Sequence, residues 1–507
     1  MKFYTSFFKT KNKVCVRGYD GLEQFFEIYD LDNCIVYEED PYSNTATEKS
    51  IYGIPLKPIK FSTAWEASKY IDENHSFKNL WGYPRYDYAK IDELFTNEND
   101  PSLLRVSYID IETYVGEDTD TGLPPTDSFP SVFNNEHAIS LITTIQNGQI
   151  VCQALNDIDE KYVLNKLEEQ VKNFKENYKI KFNYYDNEEK LLKGFVKLIN
   201  SNSPDIISGW NTNGFDIPYI YARICKVISP EYAKRLSPFN IITTREYINE
   251  YGEKALQVNI KGIELLDYLE LYKKFELSPR ENFKLETIAL IETGATKLDY
   301  DGSFRDFYLK YFSTDFPAYN IIDVIRVIEI DKEVGFIAVA AQVAYSAKCV
   351  FSDVYPVTKI WDNIIANYCR EQHIHVPAYF QFSKEEYEGA YVKPTIPGKF
   401  KWIITYDVAS LYPSIIIQQN ISAETILKEE VDITARDITN RTEKLYKAKE
   451  IAENLNATLC ANGSLFSKDK IGILPQLVKI YMKKRVTAKN EMKEWSKRIE
   501  YAKSKLN

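Results

Sequence analysis

The clearest alternation of hydrophobic and polar positions along the chain is the stretch Val-Ser-Tyr-Ile-Asp-Ile-Glu-Thr at residues 106–113. Its β-branched and aromatic residues predict a β-strand. Because side chains alternate between the two faces of a strand, Asp110 and Glu112 should project to the same side. Two carboxylates this close repel each other unless they share a cation, and oxygen ligands favour Mg²⁺ or Mn²⁺. Taken alone, the stretch fits two surface acids at a solvated strand end better than it fits a metal site.

A second acidic position follows a strand–turn–helix pattern. Residues 204–210 predict a buried strand, and Gly214 predicts a turn after it. Asp216 then suits the N-cap of a helix that has Pro218 in its first turn. The apolar face of that helix consists of Ile217, Ile220, Ile224 and Val227. A role for Asp216 as a helix cap alone stays open on this pattern.

A third acidic position lies in a strongly apolar helical stretch. The aliphatic positions that predict the helix are Ile321, Ile322, Val324, Ile325 and Ile328. Tyr319 and Asp323 share one face of it, at the i, i+4 spacing. A charged Asp among so many aliphatic side chains is costly to bury unpaired. Asp323 is therefore predicted to be a ligand or a member of an ion pair.

Two further stretches of this half of the chain carry weaker signals. Residues 1–103 alternate short aromatic strands with turn signals, which predicts a β-rich N-terminal domain without a chemical motif. Residues 116–122 contain an Asp-Thr-Asp tripeptide between glycines in a polar segment. This composition predicts a solvated loop with no catalytic role.

An Asp at the end of an apolar strand recurs at residues 401–407, Lys-Trp-Ile-Ile-Thr-Tyr-Asp. The pattern predicts a buried strand that ends at Asp407, then a tight turn and a helix interrupted by Pro413. A carboxylate and backbone amides at such a turn can face one ligand. The other interpretation is that Asp407 only caps the helix.

The last predicted element is a long helix over residues 476–507, after Gly-Ile-Leu-Pro. It holds ten Lys or Arg against three Glu, and Arg485 and Lys489 lie one turn apart. Its other side carries an apolar seam at heptad spacing, made of Ala488, Met492, Trp495, Ile499, Ala502 and Leu506. A lone helix would leave this seam in water, so the pattern predicts a partner helix.

Composition narrows the class of protein. The 507 residues suffice for about three domains, and 44% hydrophobic with 27% charged residues is typical of a globular protein. A net charge of −10 requires that any nucleic acid bind to local basic faces. Four His argue against a histidine-built metal site, and seven scattered Cys predict reduced, mostly buried thiols. No apolar run is long enough to cross a bilayer, so we expect a cytoplasmic protein with no membrane partner.

Together these motifs resemble those of DNA polymerase family B. Residues 110–112, 211–216 and 319–323 are similar to the three motifs of the family's 3′→5′ proofreading exonuclease. Residues 407–415, Asp-Val-Ala-Ser-Leu-Tyr-Pro-Ser-Ile, are similar to its polymerase motif A. The likeness covers nearly the whole chain. It is closest to the polymerases of T4-type phages through residues 208–218, 266–275 and 420–426.

The resemblance implies a multidomain α+β fold. It comprises a β-rich N-terminal domain, a ribonuclease H-like α/β exonuclease domain, a partial palm and the first helix of the fingers. The expected boundaries are 1–103 for the N-terminal domain, with a return of the chain at 341–375, then 104–340 for the exonuclease, 376–465 for the palm and 466–507 for the fingers. A phage-encoded protein of this kind acts in the cytoplasm of the host cell.

The resemblance also implies the chemistry of the exonuclease. The mechanism is hydrolysis of phosphodiester bonds with two Mg²⁺ or Mn²⁺ ions. The residues implied as metal ligands are Asp110, Glu112, Asp216 and Asp323. Tyr319 is the residue implied to orient the attacking water.

For DNA synthesis the resemblance implies a second site with catalytic Mg²⁺. Asp407 would bind that ion, and the amides around Ser410 and Leu411 would hold triphosphate oxygens. Tyr412 would stack under the deoxyribose and exclude a 2′-hydroxyl. The helical pair Arg485 and Lys489 would bind the triphosphate.

The sequence lacks the family's Lys-x-x-x-Asn-Ser-x-Tyr-Gly motif and the strand-borne Asp-Thr-Asp that supplies a second palm carboxylate. We therefore expect the N-terminal subunit of a split polymerase, which shares its Mg²⁺ with a second chain carrying the remaining fingers, palm and thumb. The expected partners are primer–template and single-stranded DNA, dNTP, that second chain and, through it, a sliding clamp. The apolar seam would pair with the second chain's first helix. A truncated full-length polymerase and a non-catalytic, repressor-like nucleic-acid-binding protein remain open.

Overall fold

The computed structural model describes residues 1–114, 130–249, 252–295, 298, 302–379 and 394–506. The strands of this part of the chain are β1 (Lys2–Thr10), β2 (Lys13–Asp20), β3 (Glu23–Asp30), β4 (Cys34–Glu39), β5 (Lys49–Ser50), β6 (Leu56–Phe61), β7 (Leu80–Trp81), β8 (Val106–Thr113), β9 (Ile139–Gln146), β10 (Gln149–Ala154), β11 (Lys179–Tyr184), β12 (Ile206–Ser208), β13 (Ile242–Ile248), β14 (Lys254–Ile260), β15 (Glu264–Leu265), β16 (Ile374–His375), β17 (Ile426–Glu430), β18 (Ala457–Leu459) and β19 (Ser464–Ser467).

The helices alternate with these strands along most of the chain. They are α1 (Ala64–Asn74), α2 (Tyr86–Leu94), α3 (Glu160–Gln170), α4 (Phe174–Asn177), α5 (Glu188–Asn202), α6 (Asp216–Val227), α7 (Pro230–Ala233), α8 (Tyr268–Phe275), α9 (Leu285–Thr293), α10 (Phe304–Tyr311), α11 (Asp315–Val334), α12 (Phe336–Ser346), α13 (Val357–Glu371), α14 (Leu411–Gln419), α15 (Ala435–Asn440), α16 (Glu443–Asn454) and α17 (Ile473–Leu506). This mixture confirms the predicted α+β class.

The chain divides into two compact units. The first comprises residues 1–34, 60–69 and 84–364, and the second comprises residues 35–59, 70–83 and 365–507. The first unit opens with β1, β2 and β3, which form an antiparallel meander. Aromatic and β-branched residues fill the buried side of this sheet, as the pattern of residues 1–103 predicts. A β-rich N-terminal region is therefore confirmed.

The larger sheet of the first unit has six strands in the order β11-β10-β9-β8-β12-β15. β8 pairs antiparallel with β9 on one side and parallel with β12 on the other. β12 in turn pairs parallel with β15. Because β8 is central, the stretch on which the sequence analysis rests lies inside the sheet rather than at its edge.

A hydrophobic core packs helices α5 and α6 against this sheet. The sheet contributes Ile109 and Ile111, which alternate with the two acidic side chains of β8. Helix α6 contributes Ile217, Ile220 and Ile224, the predicted apolar face, and Val227 packs at its margin. The period-3.6 pattern of the sequence therefore identified the buried side of α6 correctly.

The second unit contains the C-terminal elements of the chain. One antiparallel sheet of this unit has the order β17-β19-β18, and α16 packs on it through Ala452. The long helix predicted for residues 476–507 is α17, at Ile473–Leu506. Its first turns bury Leu477 and Val478, whereas Trp495 and Ile499 of the apolar seam are 60% and 53% exposed.

The cysteines and the helix hydropathy agree with the composition. All seven Cys lie in the described residues, none forms a disulfide, and five are buried. Burial raises the pKa of several of these thiols, which keeps them protonated. Across the described ranges, every helix is too short or too polar to span a bilayer.

Candidate active site

The strand prediction for residues 106–113 is confirmed by β8, with the same bounds. Ile109 and Ile111 are buried on one face, and Asp110 and Glu112 are partly exposed on the other. The two carboxylates therefore share a face at the centre of the sheet. Their neighbours across β9 are Thr143 and Leu141, which carry no charge.

Asp216 reaches this strand from the start of α6. Its Oδ1 accepts the backbone N–H of Ile111, the residue between Asp110 and Glu112, at 3.0 Å. The prediction of Asp216 as N-cap is wrong, because Asp216 is the first helical residue and Phe215 precedes the helix without a side-chain cap. The carboxylate accepts a hydrogen bond from β8. Burial raises the pKa of Asp216 to about 7, and the charge of nearby Asp267 adds to the rise.

Helix α11 brings the third motif to the same strand. The Asn320 side-chain amide donates a hydrogen bond from Nδ2 to Asp110 Oδ2 at 2.5 Å. Tyr319 and Asp323, each 8% exposed, lie on either side of this residue in the helix. The ring of Tyr319 lies 5.7 Å from that of Phe307, within an aromatic cluster on α10 and α11. The structure thus brings α11 against the acidic strand, as the three-motif hypothesis requires.

Two residues of this site were missed by the sequence analysis. One is Asn320, whose position inside an apolar helix gives no signal of the contact with Asp110. The other is Asp267, which accepts the backbone N–H groups of Asn211 at 3.1 Å and Asn213 at 2.9 Å. Asp267 also caps α8 through the N–H of Leu269. It therefore fixes the turn that leads to Asp216.

Asp267 is itself an unusual carboxyl group. It is 1% exposed, and burial first and the charge of Glu270 second raise its pKa to about 7. The three backbone N–H donors oppose this rise. Two carboxyl groups with raised pKa values, Asp216 and Asp267, thus lie close together at the edge of the candidate site, a feature that clusters at functional sites.

The atoms available as metal ligands at this site are of the chemical type that a hard divalent cation prefers. They are carboxylate oxygens together with Asn320 Oδ1, which is buried and has no hydrogen-bond partner among the described residues. The arrangement of these atoms in space, however, does not form a complete metal site. Within the described part of the chain, no three His, Cys, Asp or Glu side chains are grouped closely enough to hold a metal ion. Asp110 and Asp216 instead accept hydrogen bonds from Asn320 and Ile111. The two-ion site stays a prediction.

The second candidate site lies around Asp407. The buried strand predicted for residues 401–407 is wrong, because these residues form no β-ladder and Asp407 is exposed. A strand needs a neighbour to pair with, and none of the described sheets pairs with this stretch. Its apolar side chains are consequently in water, with Trp402 96% and Tyr406 89% exposed.

The remaining residues of the second site are also exposed. The predicted turn and helix after Asp407 are confirmed by α14, which begins at Leu411 after Ser410 in the left-handed conformation. Tyr412 is 72% exposed, and Arg485 and Lys489 lie exposed on α17. No hydrogen bond or ion pair described in the structure joins these residues to Asp407. The Asp-Thr-Asp of residues 118–120 lies outside the described residues.

Comparison with known proteins identifies the family of the chain. A model of the exonuclease domain of DNA polymerase family B matches residues 85–288, and a model of DNA polymerase family B itself matches residues 356–504. The two matches cover more than half of the sequence. The chain belongs to DNA polymerase family B. The first match includes Asp110, Glu112 and Asp216, the second includes residues 407–415, and residues 319–323 lie between the two.

The similar proteins include DNA polymerases of phages, of animal viruses and of Pyrococcus abyssi. The DNA-directed DNA polymerase of Escherichia phage RB69 is 31% identical over 87% of this chain and 48% of its own length. That of Enterobacteria phage T4 is 30% identical over 98% of this chain and 54% of its own length. The DNA polymerase catalytic subunit of Saimiriine herpesvirus 2 is 28% identical over 48% of this chain and 25% of its own length. The chain spans about half the length of the two phage relatives.

Proposed function

We propose that the first unit of this family B chain is a 3′→5′ exonuclease that hydrolyses single-stranded DNA with two Mg²⁺ or Mn²⁺ ions. The observation that carries the proposal is the convergence of two separate helices, α6 and α11, on β8. The hydrogen bond from Ile111 to Asp216 brings α6 to the acidic strand, and that from Asn320 to Asp110 brings α11 there. The hydrogen-bonded residues are 105 and 210 positions apart in the sequence, so it is the fold that brings them together.

In this proposal the protein holds the ions and orients the water. Two bound divalent ions would supply a nucleophilic water and neutralise the leaving 3′ oxygen. The residues proposed to hold them are Asp110, Glu112, Asp216 and Asp323. Asn320 orients the Asp110 carboxylate through its amide, and Asp267 orients Asp216 through the 211–213 turn. The Tyr319 hydroxyl positions the water, and its ring is held by the aromatic cluster around Phe307.

We further propose that the mixed six-stranded sheet with its flanking helices is ribonuclease H-like. The support is the order of the central strands, in which antiparallel β9 and parallel β12 flank β8. The proposed domain boundaries are those of the sequence analysis: 1–103 with a return at 341–375, 104–340, 376–465 and 466–507. Family membership and the phage relatives support action in the cytoplasm of a host cell.

For DNA synthesis we propose an incomplete site on the second unit. Asp407 would bind Mg²⁺, Ser410 and Leu411 would hold triphosphate oxygens with their amides, and Tyr412 would contact the deoxyribose. Arg485 and Lys489, one turn apart on α17, would bind the triphosphate as charge-assisted donors. One carboxylate cannot fix two ions, so synthesis requires residues beyond this sequence. They come from a second chain or from a longer form of this one.

The exposed surfaces of the second unit support such an extension. Residues 402–406 and the apolar seam of α17 present large apolar side chains to water, and exposed apolar surface of this kind marks interaction sites. We propose that the seam pairs with a further fingers helix. Primer–template DNA and dNTP are the proposed ligands of the completed site, and a sliding clamp would bind through the added part.

The exonuclease proposal is tested with a 5′-labelled single-stranded oligonucleotide and the purified chain. In Mg²⁺ we expect products shortened progressively from the 3′ end. Asp110→Ala with Glu112→Ala removes two of the proposed ligands and should lower the rate by orders of magnitude. A matched control is Asp186→Ala with Glu189→Ala, since these acids are exposed at the start of α5 and pair with surface lysines. Equal activity of the two double variants would refute the assignment.

A further inference from the structure

The parallel strands of the larger sheet begin side by side against the N-terminal sheet. Arg105 precedes β8, Asp205 precedes β12, and Glu264 opens β15. The backbone links the three starts, because Asp205 N–H donates to Arg105 O at 2.8 Å and Glu264 N–H donates to Asp205 O at 2.9 Å. We call these three positions the strand-start junction. The sequence of residues 1–103 gave no sign of a function there.

Arg17 of β2 connects the N-terminal sheet to the strand-start junction, and its side chain is fully buried. One guanidinium nitrogen, Nη1, donates to Pro204 O at 2.6 Å and to Gly262 O at 2.8 Å. The other, Nη2, donates to Ser203 O at 2.7 Å and lies 3.4 Å from the Asp205 carboxylate. A single side chain thus holds the backbone just before β12 and just before β15.

The Asp205 carboxylate completes the junction from the other side. Its Oδ2 accepts the N–H of Arg105 at 2.9 Å and the hydroxyl of Tyr19 at 2.7 Å. Its Oδ1 accepts from Thr5 and Gln24, both at 3.2 Å. Through one carboxylate, the N-terminal sheet is therefore tied to the starts of both β8 and β12.

Burying the charged side chains of the strand-start junction has a high desolvation cost. Arg17 and Asp205 are both 0% exposed, and Arg17 Nε has no hydrogen-bond partner among the described residues. Burial lowers the pKa of Arg17, and the Asp205 charge opposes that effect. Buried ion pairs are often no more stabilising than apolar residues of similar volume. The many directional bonds to backbone atoms of separate strands point to a geometric role.

The geometry that the junction fixes is that of the candidate active site. β12 and β8 share only three residue pairs, so few ladder bonds set their register. Asp110 lies five residues beyond Arg105, about 17 Å along the strand. β12 leads after Ser208 into the turn that ends at Asp216, and β15 leads to Asp267. A shift at the strand starts would displace these carboxylates relative to one another.

We propose that the N-terminal sheet positions the exonuclease carboxylates, and that Arg17 and Asp205 are positioning residues of the reaction. The inference rests on the proposed exonuclease function. The strand-start junction holds β8, β12 and β15 in the relative register at which their ends assemble the metal ligands. Neither residue contacts substrate or ions.

The test uses two substitutions of the same kind in the same sheet. Tyr19→Phe removes only the hydroxyl, which donates to Asp205 and accepts from Gln24 Nε2, and it leaves the ring stacked on Phe3. Tyr4→Phe is the matched control, since Tyr4 is equally buried but donates to Cys349 O, away from the junction. Asp205→Asn is a stronger third variant. The measurements on the full chain are kcat and KM on single-stranded DNA, the Mn²⁺ concentration at half-maximal rate, and Tm.

Small displacements of reacting groups cost up to about a hundredfold in rate, so we expect Tyr19→Phe to lower kcat about tenfold and Asp205→Asn more. KM for DNA should stay within about twofold, and the Mn²⁺ requirement should rise. Tyr4→Phe should lower Tm by a similar amount and leave kcat and the Mn²⁺ requirement unchanged. Unchanged kcat in folded Tyr19→Phe, or an equal loss in Tyr4→Phe, would overturn the inference. With an active wild type, such results leave the proposed function intact, whereas an inactive wild type overturns both.

Discussion

Replacing Asp216 with Asn should stabilise the metal-free protein at alkaline pH while it removes nuclease activity. Burial raises the pKa of Asp216 from its ordinary 3.8 to about 7. Because the pKa is raised on folding, the stability linked to this group is fully present below about pH 4 and is lost as pH rises through 7. Asn keeps an oxygen that accepts the Ile111 N–H but carries no charge, so it avoids this loss.

The magnitude follows from the size of the pKa change. At about 1.4 kcal/mol per pKa unit, the rise sets an upper limit of about 4 kcal/mol for the stabilisation at pH 8.5. Because Asp216 and Asp267 influence each other, we expect about half of that limit. The first unit has roughly 300 residues, and for that size 2 kcal/mol corresponds to an increase in Tm of roughly 3 °C. At pH 5, about 1.2 units above the ordinary pKa of 3.8, the carboxyl group of the unfolded chain is already ionised, so the increase should fall to about a third of this value.

The assay is scanning calorimetry in EDTA at pH 5 and pH 8.5, on wild type and Asp216→Asn. Asp186→Asn serves as control, because Asp186 is exposed at the surface and should give the same small effect at both pH values. An Asp216→Asn variant that is equally stabilised at both pH values, or destabilised at pH 8.5, would refute the reasoning. Added Mn²⁺ should reverse the order of stability, since only the wild type keeps the full ligand set.

Three further predictions concern contacts named above. Asn320→Leu should lower the nuclease rate at least tenfold with little change in DNA affinity, because it removes the amide that orients Asp110; a full rate would show that this contact is incidental. Asp267→Ala leaves two backbone N–H groups of the 211–213 turn without their acceptor and should lower the unfolding free energy by about 2 to 4 kcal/mol, measured by urea unfolding. Trp495→Asp with Ile499→Asp should leave Tm and nuclease rate of the single chain unchanged and weaken sedimentation-detected association with an added polymerase chain; association at wild-type affinity would place the joint elsewhere.

The parts of the fold that follow local periodicity were predictable from sequence. β8 has the predicted bounds because its alternation has a period of two, and α17 continues through residues 476–506 because no stop signal interrupts it. The same reasoning failed for residues 401–407, which have the apolar pattern of a strand but do not form one. A strand depends on a neighbour for its hydrogen bonds, and apolar sequence alone supplies none.

The acidic residues of the site could be predicted from the sequence, but the arrangement of their side chains could not. The carboxylates of β8 and the i, i+4 pair on α11 follow from spacing alone. The orientation of Asp216 depends on the N–H of Ile111, 105 residues away, and local propensity therefore favoured a cap. The roles of Asn320 and Asp267 are likewise contacts across 210 and 56 residues. Such contacts exist only once the sheet has assembled.

The proposed two-ion site is tested most directly by the number of Mn²⁺ ions that bind at the exonuclease site. The measurement is electron paramagnetic resonance titration of the chain bound to a single-stranded oligonucleotide with a 3′-terminal phosphorothioate linkage. We expect two bound Mn²⁺ ions in the wild type and their loss in Asp110→Ala with Glu112→Ala, with DNA still bound. The same number of ions in both proteins would contradict the claim that these carboxylates form the metal site.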